Sequence, residues 1–153
     1  MKQFLFVIAA LALLSGCDAG PKSARGFSLP DGDIDKGREV FVELQCNACH
    51  YVGDVEQLAS GDADDEDRIS VMLGGRVGSV KTYGELVTSV INPSHRLIRR
   101  YPEADVTDQI GQSLMRNYND VMTVQQLVDV VAFLQSNYVL EPYDRTAYRV
   151  YYP

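Results

Sequence analysis

The stretch Cys46-Asn47-Ala48-Cys49-His50 is the segment of this sequence that most restricts its fold. It places two thiols three residues apart and an imidazole directly after the second thiol. The chain has a third cysteine, Cys17, far upstream. A chain of 153 residues with so few cysteines does not fit a disulfide scaffold, so each cysteine needs its own explanation.

The pattern C-x-x-C-H is the attachment sequence of a c-type haem. One helical turn separates the two sulfurs suitably for thioether bonds to the haem vinyl groups, and the adjacent imidazole then reaches the iron. A thioredoxin-like dithiol would not need His50, and a zinc site normally brings a second Cys/His pair. The sequence therefore predicts one haem c per chain, attached through Cys46 and Cys49, with His50 as an iron ligand.

Residues 1–16 have the pattern of a signal peptide. Lys2 is followed by an apolar run over residues 4–14 and then by small residues. The run is too short to span a bilayer comfortably, and an uncleaved signal anchor is the alternative. Haem is attached outside the cytoplasm, so export agrees with the C-x-x-C-H motif.

The residues before Cys17 resemble a bacterial lipobox, since Leu14-Ser15-Gly16-Cys17 ends in cysteine after small residues. The resemblance implies that Cys17 becomes a lipidated N-terminus, and several acyl chains anchor a protein stably. Residues 17–30 lack periodicity and contain glycine and proline, which predicts a flexible tether. We expect a lipoprotein on the periplasmic face of the inner membrane, or on the outer cell surface if the source has one membrane.

Composition and charge restrict the partners. The net charge of −7 argues against nucleic-acid binding, which needs a basic face. Seven acidic residues lie within 54–67. Calcium binding is conceivable there, but a solvated loop or a surface for a basic partner is favoured because the D-x-D-x-D-G spacing is missing. Residues 141–153 form a tyrosine-rich tail that docks either on the protein body or on a partner.

Three segments have the pattern of α-helices. The first follows Asp33 and Asp35, either of which can cap it. The second begins with a T-x-x-E capping box at Thr82, and the last begins with a T-x-x-Q box at Thr123. Apolar residues recur at helical spacing after both boxes, and we expect the last helix to end near Asn137.

From about residue 31 to 137, these features resemble the class I cytochrome c family. The resemblance implies an all-α fold of four to five short helices around one covalently bound haem, in a domain over residues 31–140. In that family the first and last helices cross at a small contact. The resemblance places Gly37 at this crossing, with Phe41 and Phe133 packed beside it.

The resemblance also implies a second iron ligand from a methionine in the loop before the last helix. Met115 lies 65 residues after His50 and eight before Thr123, and both spacings suit the family. A thioether favours ferrous iron and therefore raises the reduction potential, whereas a second histidine lowers it. The alternatives are an open iron and three other side chains: His95, Met122 and Met72.

The family often has proline directly after this methionine, and Arg116 stands there instead. The loop must therefore be shaped otherwise, with Asn117 or Tyr118 as a hydrogen-bond donor near the haem or as a turn residue. The segment Leu73-Gly74-Gly75-Arg76 is similar to the glycine-rich segment of the family. The resemblance implies that Arg76 contacts a haem propionate. The alternative is that Arg76 is a solvated charge in a loop.

The function implied by the resemblance is outer-sphere electron transfer between redox partner proteins, without catalysis by this chain. One alternative is a haem subunit of a membrane-bound oxidoreductase complex. A second is a haem enzyme or gas sensor with an open iron, for which His95 is the candidate distal base.

Overall fold

A computed structural model describes residues 27–59 and 69–141 of the chain. Four α-helices lie in these ranges: α1 (Ile34–Glu43), α2 (Tyr83–Ile91), α3 (Glu103–Val106) and α4 (Val124–Ser136). Two 3₁₀ turns cover Cys46–Ala48 and Pro93–His95. Four three-residue strands complete the structure: β1 (His50–Val52), β2 (Val71–Leu73), β3 (Gly75–Val77) and β4 (Tyr138–Leu140).

The fold is mainly helical but not all-α, so the expected fold class is confirmed only in part. Of the described residues, helices with the 3₁₀ turns account for 40%, and strands with the isolated bridges account for 14%. Strand β1 pairs with β2 and strand β3 pairs with β4, both in parallel. Segments of three residues are too short to show the alternation by which a strand is recognised in a sequence.

The helices begin where the capping residues predict. The side chain of Asp33 accepts hydrogen bonds from the backbone N–H groups of Asp35 and Lys36, so Asp33 is the cap of α1. Reciprocal capping boxes start α2 at Thr82 and α4 at Thr123. Each cap satisfies N–H groups that have no partner within the helix, and this fixes the first turn.

Helices α1 and α4 cross at Gly37, which confirms the predicted contact. A Cβ at Gly37 would lie 2.0 Å from the backbone oxygen of Asp129 and 2.8 Å from Cβ of Phe133. The rings of Phe41 and Phe133 meet edge to face with centroids 5.7 Å apart. The buried carboxylate of Asp129 accepts a hydrogen bond of 2.9 Å from the backbone N–H of Asp33. The two helices are therefore joined by close backbone packing and by a polar contact.

The chain after α4 returns to the segment that follows the cysteine motif. Gly74 separates β2 from β3 and has φ of +83°, and a Cβ there would lie 2.8 Å from the backbone oxygen of Asn137. The N–H of Gly75 donates to the same oxygen at 2.8 Å. This close approach positions β3 beside β4 and brings Tyr138 towards the space between the helices.

Several predictions fall on parts of the chain outside the described residues. These are the signal peptide over 1–16, the lipidated Cys17, most of the tether, most of the acidic stretch and nearly all of the tail. Among the helices of residues 27–59 and 69–141, none is long and apolar enough to cross a membrane.

Candidate functional site

An apolar cavity of about 200 Å³ lies between the helices. Its walls come from three helices and from strands β1, β2 and β4. Half of the side chains that form them are aliphatic, Phe or Tyr: Phe41, Leu44, Leu73, Leu86, Val90, Tyr118, Val130, Leu134 and Tyr138. Ligand pockets typically have such a lining with a few polar groups at defined places.

The cavity gathers most of the residues that the sequence singles out. Cys46, His50, Met115, His95 and Met122 all line it. They come from the 3₁₀ turn of the cysteine motif, from β1, from the turn after α2 and from the loop before α4. Residues up to 76 positions apart in the sequence thus line one cavity. Their spacing along the chain does not by itself predict this convergence.

Cys46 lies in a partly buried position, whereas Cys49 is exposed, and neither forms a disulfide. Burial raises the pKa of the Cys46 thiol to about 11. The thiolate is the reactive form in disulfide exchange and metal binding, and reactive dithiols have a lowered pKa. Cys46 therefore stays protonated at neutral pH and lacks the property that a thioredoxin-like dithiol needs.

His50 is half-buried at the start of β1. Burial lowers its pKa, and the backbone of Val71, its partner in the β1–β2 register, partly offsets this effect. Its Nδ1 atom is buried and has no hydrogen-bond partner among the described residues. The imidazole is therefore neutral near pH 7, which is the form that binds a metal through a ring nitrogen.

Residues 107–122 connect α3 to α4 and form the distal loop. The backbone N–H of Ser113 donates to Oγ of Ser94 at 3.1 Å, and the Asn119 side chain donates to the Ile91 oxygen at 2.9 Å. The backbone N–H of Met115 donates to Oγ of Ser113 at 3.2 Å. These bonds hold the distal loop against the end of α2 and leave the half-buried thioether of Met115 on the cavity wall.

The alternatives to Met115 differ in their surroundings. His95 is exposed, and its Nδ1 lies 2.8 Å from the backbone oxygen of Asn92, so this nitrogen donates and Nε2 is the ring nitrogen outside that hydrogen bond. Met122 lies directly before the cap of α4, with its backbone N–H bonded to the Tyr118 oxygen. Met72 is 58% exposed and does not line the cavity.

The structure does not bring Arg76 to the cavity. Its guanidinium is 79% exposed and lies 3.3 Å from the Glu141 carboxylate, beside β4. The cations that line the cavity are Lys81 and Arg96. Glu85 lies with them, and its pKa is lowered mainly by the backbone N–H of Thr82, with contributions from both cations. Nothing in the sequence around Lys81 or Arg96 distinguishes them from other surface cations.

Asn117 acts as a turn residue, since its side chain accepts a hydrogen bond of 2.9 Å from the backbone N–H of Asn119. Tyr118 instead lines the cavity and is 8% exposed. Its hydroxyl donates to the backbone oxygen of Leu44, two residues before Cys46. The predicted turn role is thus confirmed for Asn117, whereas the donor role near the methionine sulfur or a propionate stays a prediction, because Tyr118 donates to backbone instead.

The acidic stretch begins beside α1, where the carboxylate of Asp54 lies 3.0 Å from the Arg38 guanidinium. The hydrogen bond and charge of Arg38 lower the pKa of Asp54. Five of the seven acidic residues lie outside the described ranges, so the calcium and partner hypotheses stay predictions. In the part of the chain that is described, no three His, Cys, Asp or Glu side chains form a metal-binding group.

The chain was compared with protein-family models, with curated proteins and with solved structures, and none of them matches it.

Proposed function

We propose that the protein is a membrane-anchored carrier of single electrons that holds one haem c in the cavity between its helices. The observation that carries the proposal is the convergence of Cys46, His50 and Met115 on one apolar cavity. A thiol would attach a haem c, and an imidazole and a thioether would bind its iron, a ligand pair that gives a moderately high reduction potential.

The cavity residues fit such a group in three respects. The neutral imidazole of His50 has its basic form available near pH 7, and its buried Nδ1 lacks a partner among the described residues. Cys46 lies at the cavity wall, and its raised pKa disfavours the competing role in disulfide exchange. Apolar side chains form most of the cavity wall, so the cavity offers a haem ring an apolar surface.

When bound, the haem supplies reversible one-electron chemistry, and the protein supplies binding, orientation and electrostatics. Cys46 and Cys49 would hold the cofactor through thioethers, and His50 and Met115 would bind its iron. Lys81 and Arg96 are the cations available for the propionates, in place of Arg76. The exposed position of Cys49 makes its side of the site the favoured exit for the electron.

The test is to produce the full chain in a bacterial host that exports proteins and attaches c-type haem. The purified protein should be larger than the haem-free chain by one haem, resistant to acid extraction, and should give the pyridine spectrum of two thioether bonds. Cys46→Ala and Cys49→Ala should each lose one bond. Cys17→Ala is the matched control, since it should keep the haem while releasing the protein from membranes.

A protein without haem, or one whose haem is extracted by acid, would refute the proposal. A high-spin spectrum with rapid carbon monoxide binding would replace electron transfer by the open-iron alternative. Isolation from native membranes in a fixed ratio with another chain would instead assign the same haem to a subunit of a complex.

A further inference from the structure

The distal loop has no proline after Met115, so another feature must hold the methionine in place. Ser113 and Asn119 attach the loop to the end of α2 and to the turn that follows it. Neither of these bonds reaches the segment that carries the cysteine motif. A loop held only on that side could swing away from the proximal side of the cavity.

Tyr118 supplies a direct connection to the proximal side. Its side chain is 8% exposed, and its hydroxyl donates to the backbone oxygen of Leu44. Leu44 is the C-cap of α1 and is itself bonded through its N–H to the oxygen of Val40. Burial raises the pKa of the Tyr118 hydroxyl, so the group remains a donor through neutral pH. The hydrogen bond therefore joins the distal loop to the chain just before Cys46.

Arg116 covers the outer side of this tyrosine. Its guanidinium carbon lies 5.0 Å from the centre of the Tyr118 ring, within the range of a cation–π contact. Arg116 is exposed and has no carboxylate partner among the described ion pairs. The residue that replaces the family's proline thus packs on the residue that fixes the loop.

We infer that Tyr118 is a positioning residue that keeps Met115 at its place by joining the distal loop to Leu44, with Arg116 as its support. The inference rests on the proposed haem function and on Met115 as the second ligand. Movement of the loop away from the cavity would break the Tyr118–Leu44 hydrogen bond, because Tyr118 lies three residues after Met115. With haem bound, the bond would therefore oppose the replacement of Met115 by an external ligand.

The test measures the affinity of the oxidised haem protein for imidazole. Tyr118→Phe keeps the ring but removes the hydroxyl, and we expect imidazole to bind roughly two- to tenfold more tightly, as one net hydrogen bond predicts. Arg116→Gln should give a smaller gain of roughly two- to fivefold. In both variants the near-infrared band of methionine-ligated iron should persist without imidazole, since the ligand itself is unchanged.

Tyr101→Phe is the matched control. The Tyr101 hydroxyl donates to the Ser70 backbone oxygen at 2.8 Å and accepts from the Ser70 N–H at 3.0 Å. Tyr101 does not line the cavity. Tyr101→Phe therefore removes a partly buried hydroxyl whose hydrogen bonds lie outside the cavity, and it should leave the affinity for imidazole at the wild-type value. Denaturant unfolding of both variants separates a general loss of stability from a local effect.

The outcomes distinguish the inference from the proposed function. If the wild-type chain carries no haem, the proposed function fails and the inference fails with it. If haem is present but Met115→Ala leaves the near-infrared band unchanged, the inference alone is overturned. It is also overturned if Tyr118→Phe binds imidazole like wild type, or if Tyr101→Phe shows the same gain. A Tyr118 variant that does not fold leaves Arg116→Gln to decide the question by the same measurement.

Discussion

The contact between α1 and α4 gives the sharpest prediction of stability. A methyl group at Gly37 would lie 2.0 Å from the Asp129 oxygen and 2.5 Å from its carbonyl carbon. Both atoms are backbone, so no side-chain rotation relieves the overlap, and the helices must separate. Overpacking in a core usually costs about 1–3 kcal/mol and occasionally more. The higher helix propensity of alanine returns up to about 1 kcal/mol. Because the clash is with backbone, we take the upper end of the overpacking cost, and after the return from helix propensity we expect Gly37→Ala to lower the free energy of unfolding by about 2 kcal/mol.

The assay is urea unfolding of the full chain, followed by circular dichroism, with Gly84→Ala as the control. Gly84 also lies in a helix, α2, but a Cβ there meets nothing within 4 Å. Gly84→Ala should therefore leave stability unchanged or raise it by up to about 1 kcal/mol. Equal midpoints for the two variants would refute the argument, since close helix packing would then not explain the glycine at position 37.

Three further predictions concern the cavity. Met115→Ala should abolish the near-infrared methionine band and lower the reduction potential, whereas Met122→Leu should change neither; a loss of the band in Met122→Leu would move the ligand assignment. Arg96→Gln should lower the potential by on the order of 20 mV, the equivalent of about 0.5 kcal/mol in a one-electron couple, while Arg76→Gln leaves it unchanged in redox titrations. In the haem-free chain, the Cys46 thiol should contribute its full stabilisation below pH 9.0, its pKa in the unfolded chain. The free energy of unfolding should then fall as the pH rises towards the folded pKa of about 11. A Cys46→Ala variant that shows the same alkaline loss in urea unfolding would contradict this last prediction.

The sign of the alkaline effect follows from linkage. Burial raises the folded pKa of Cys46 above its unfolded value, so the unfolded chain releases this proton first as the pH increases. The stability contribution is complete below the unfolded pKa and disappears as the pH passes the folded pKa. Because the thiol is only partly buried, solvent screening reduces the stability that is lost with this proton.

Local patterns in the sequence predicted the helices well. Asp33, Thr82 and Thr123 each satisfy N–H groups within one turn of their own position, so their effect depends on neighbouring residues only. The crossing at Gly37 was predicted from the resemblance to a family rather than from the pattern itself. In the structure, Gly37 and Phe41 meet Asp129 and Phe133, about ninety residues later in the chain.

The features that the sequence did not predict depend on contacts between distant segments. The strands β1–β4 are formed by residues that pair in parallel across long stretches of chain, and each is too short to have a period. Arg76 was placed near the haem because of the glycines before it, but β3 pairs with β4 and this sets Arg76 beside Glu141. Lys81 and Arg96 reach the cavity because they flank α2, whose inner face forms its wall.

Helix α4 links the fold to the proposed site through two neighbouring stripes. Asp129 and Phe133, four residues apart, contact α1, whereas Val130 and Leu134, also four apart, line the cavity. Residues four apart share a helix face, so the two stripes lie side by side on one rigid element. A substitution at Gly37 acts on the first stripe and should change stability more than ligand affinity. Substitution of Tyr118, which acts on the distal loop, should do the reverse.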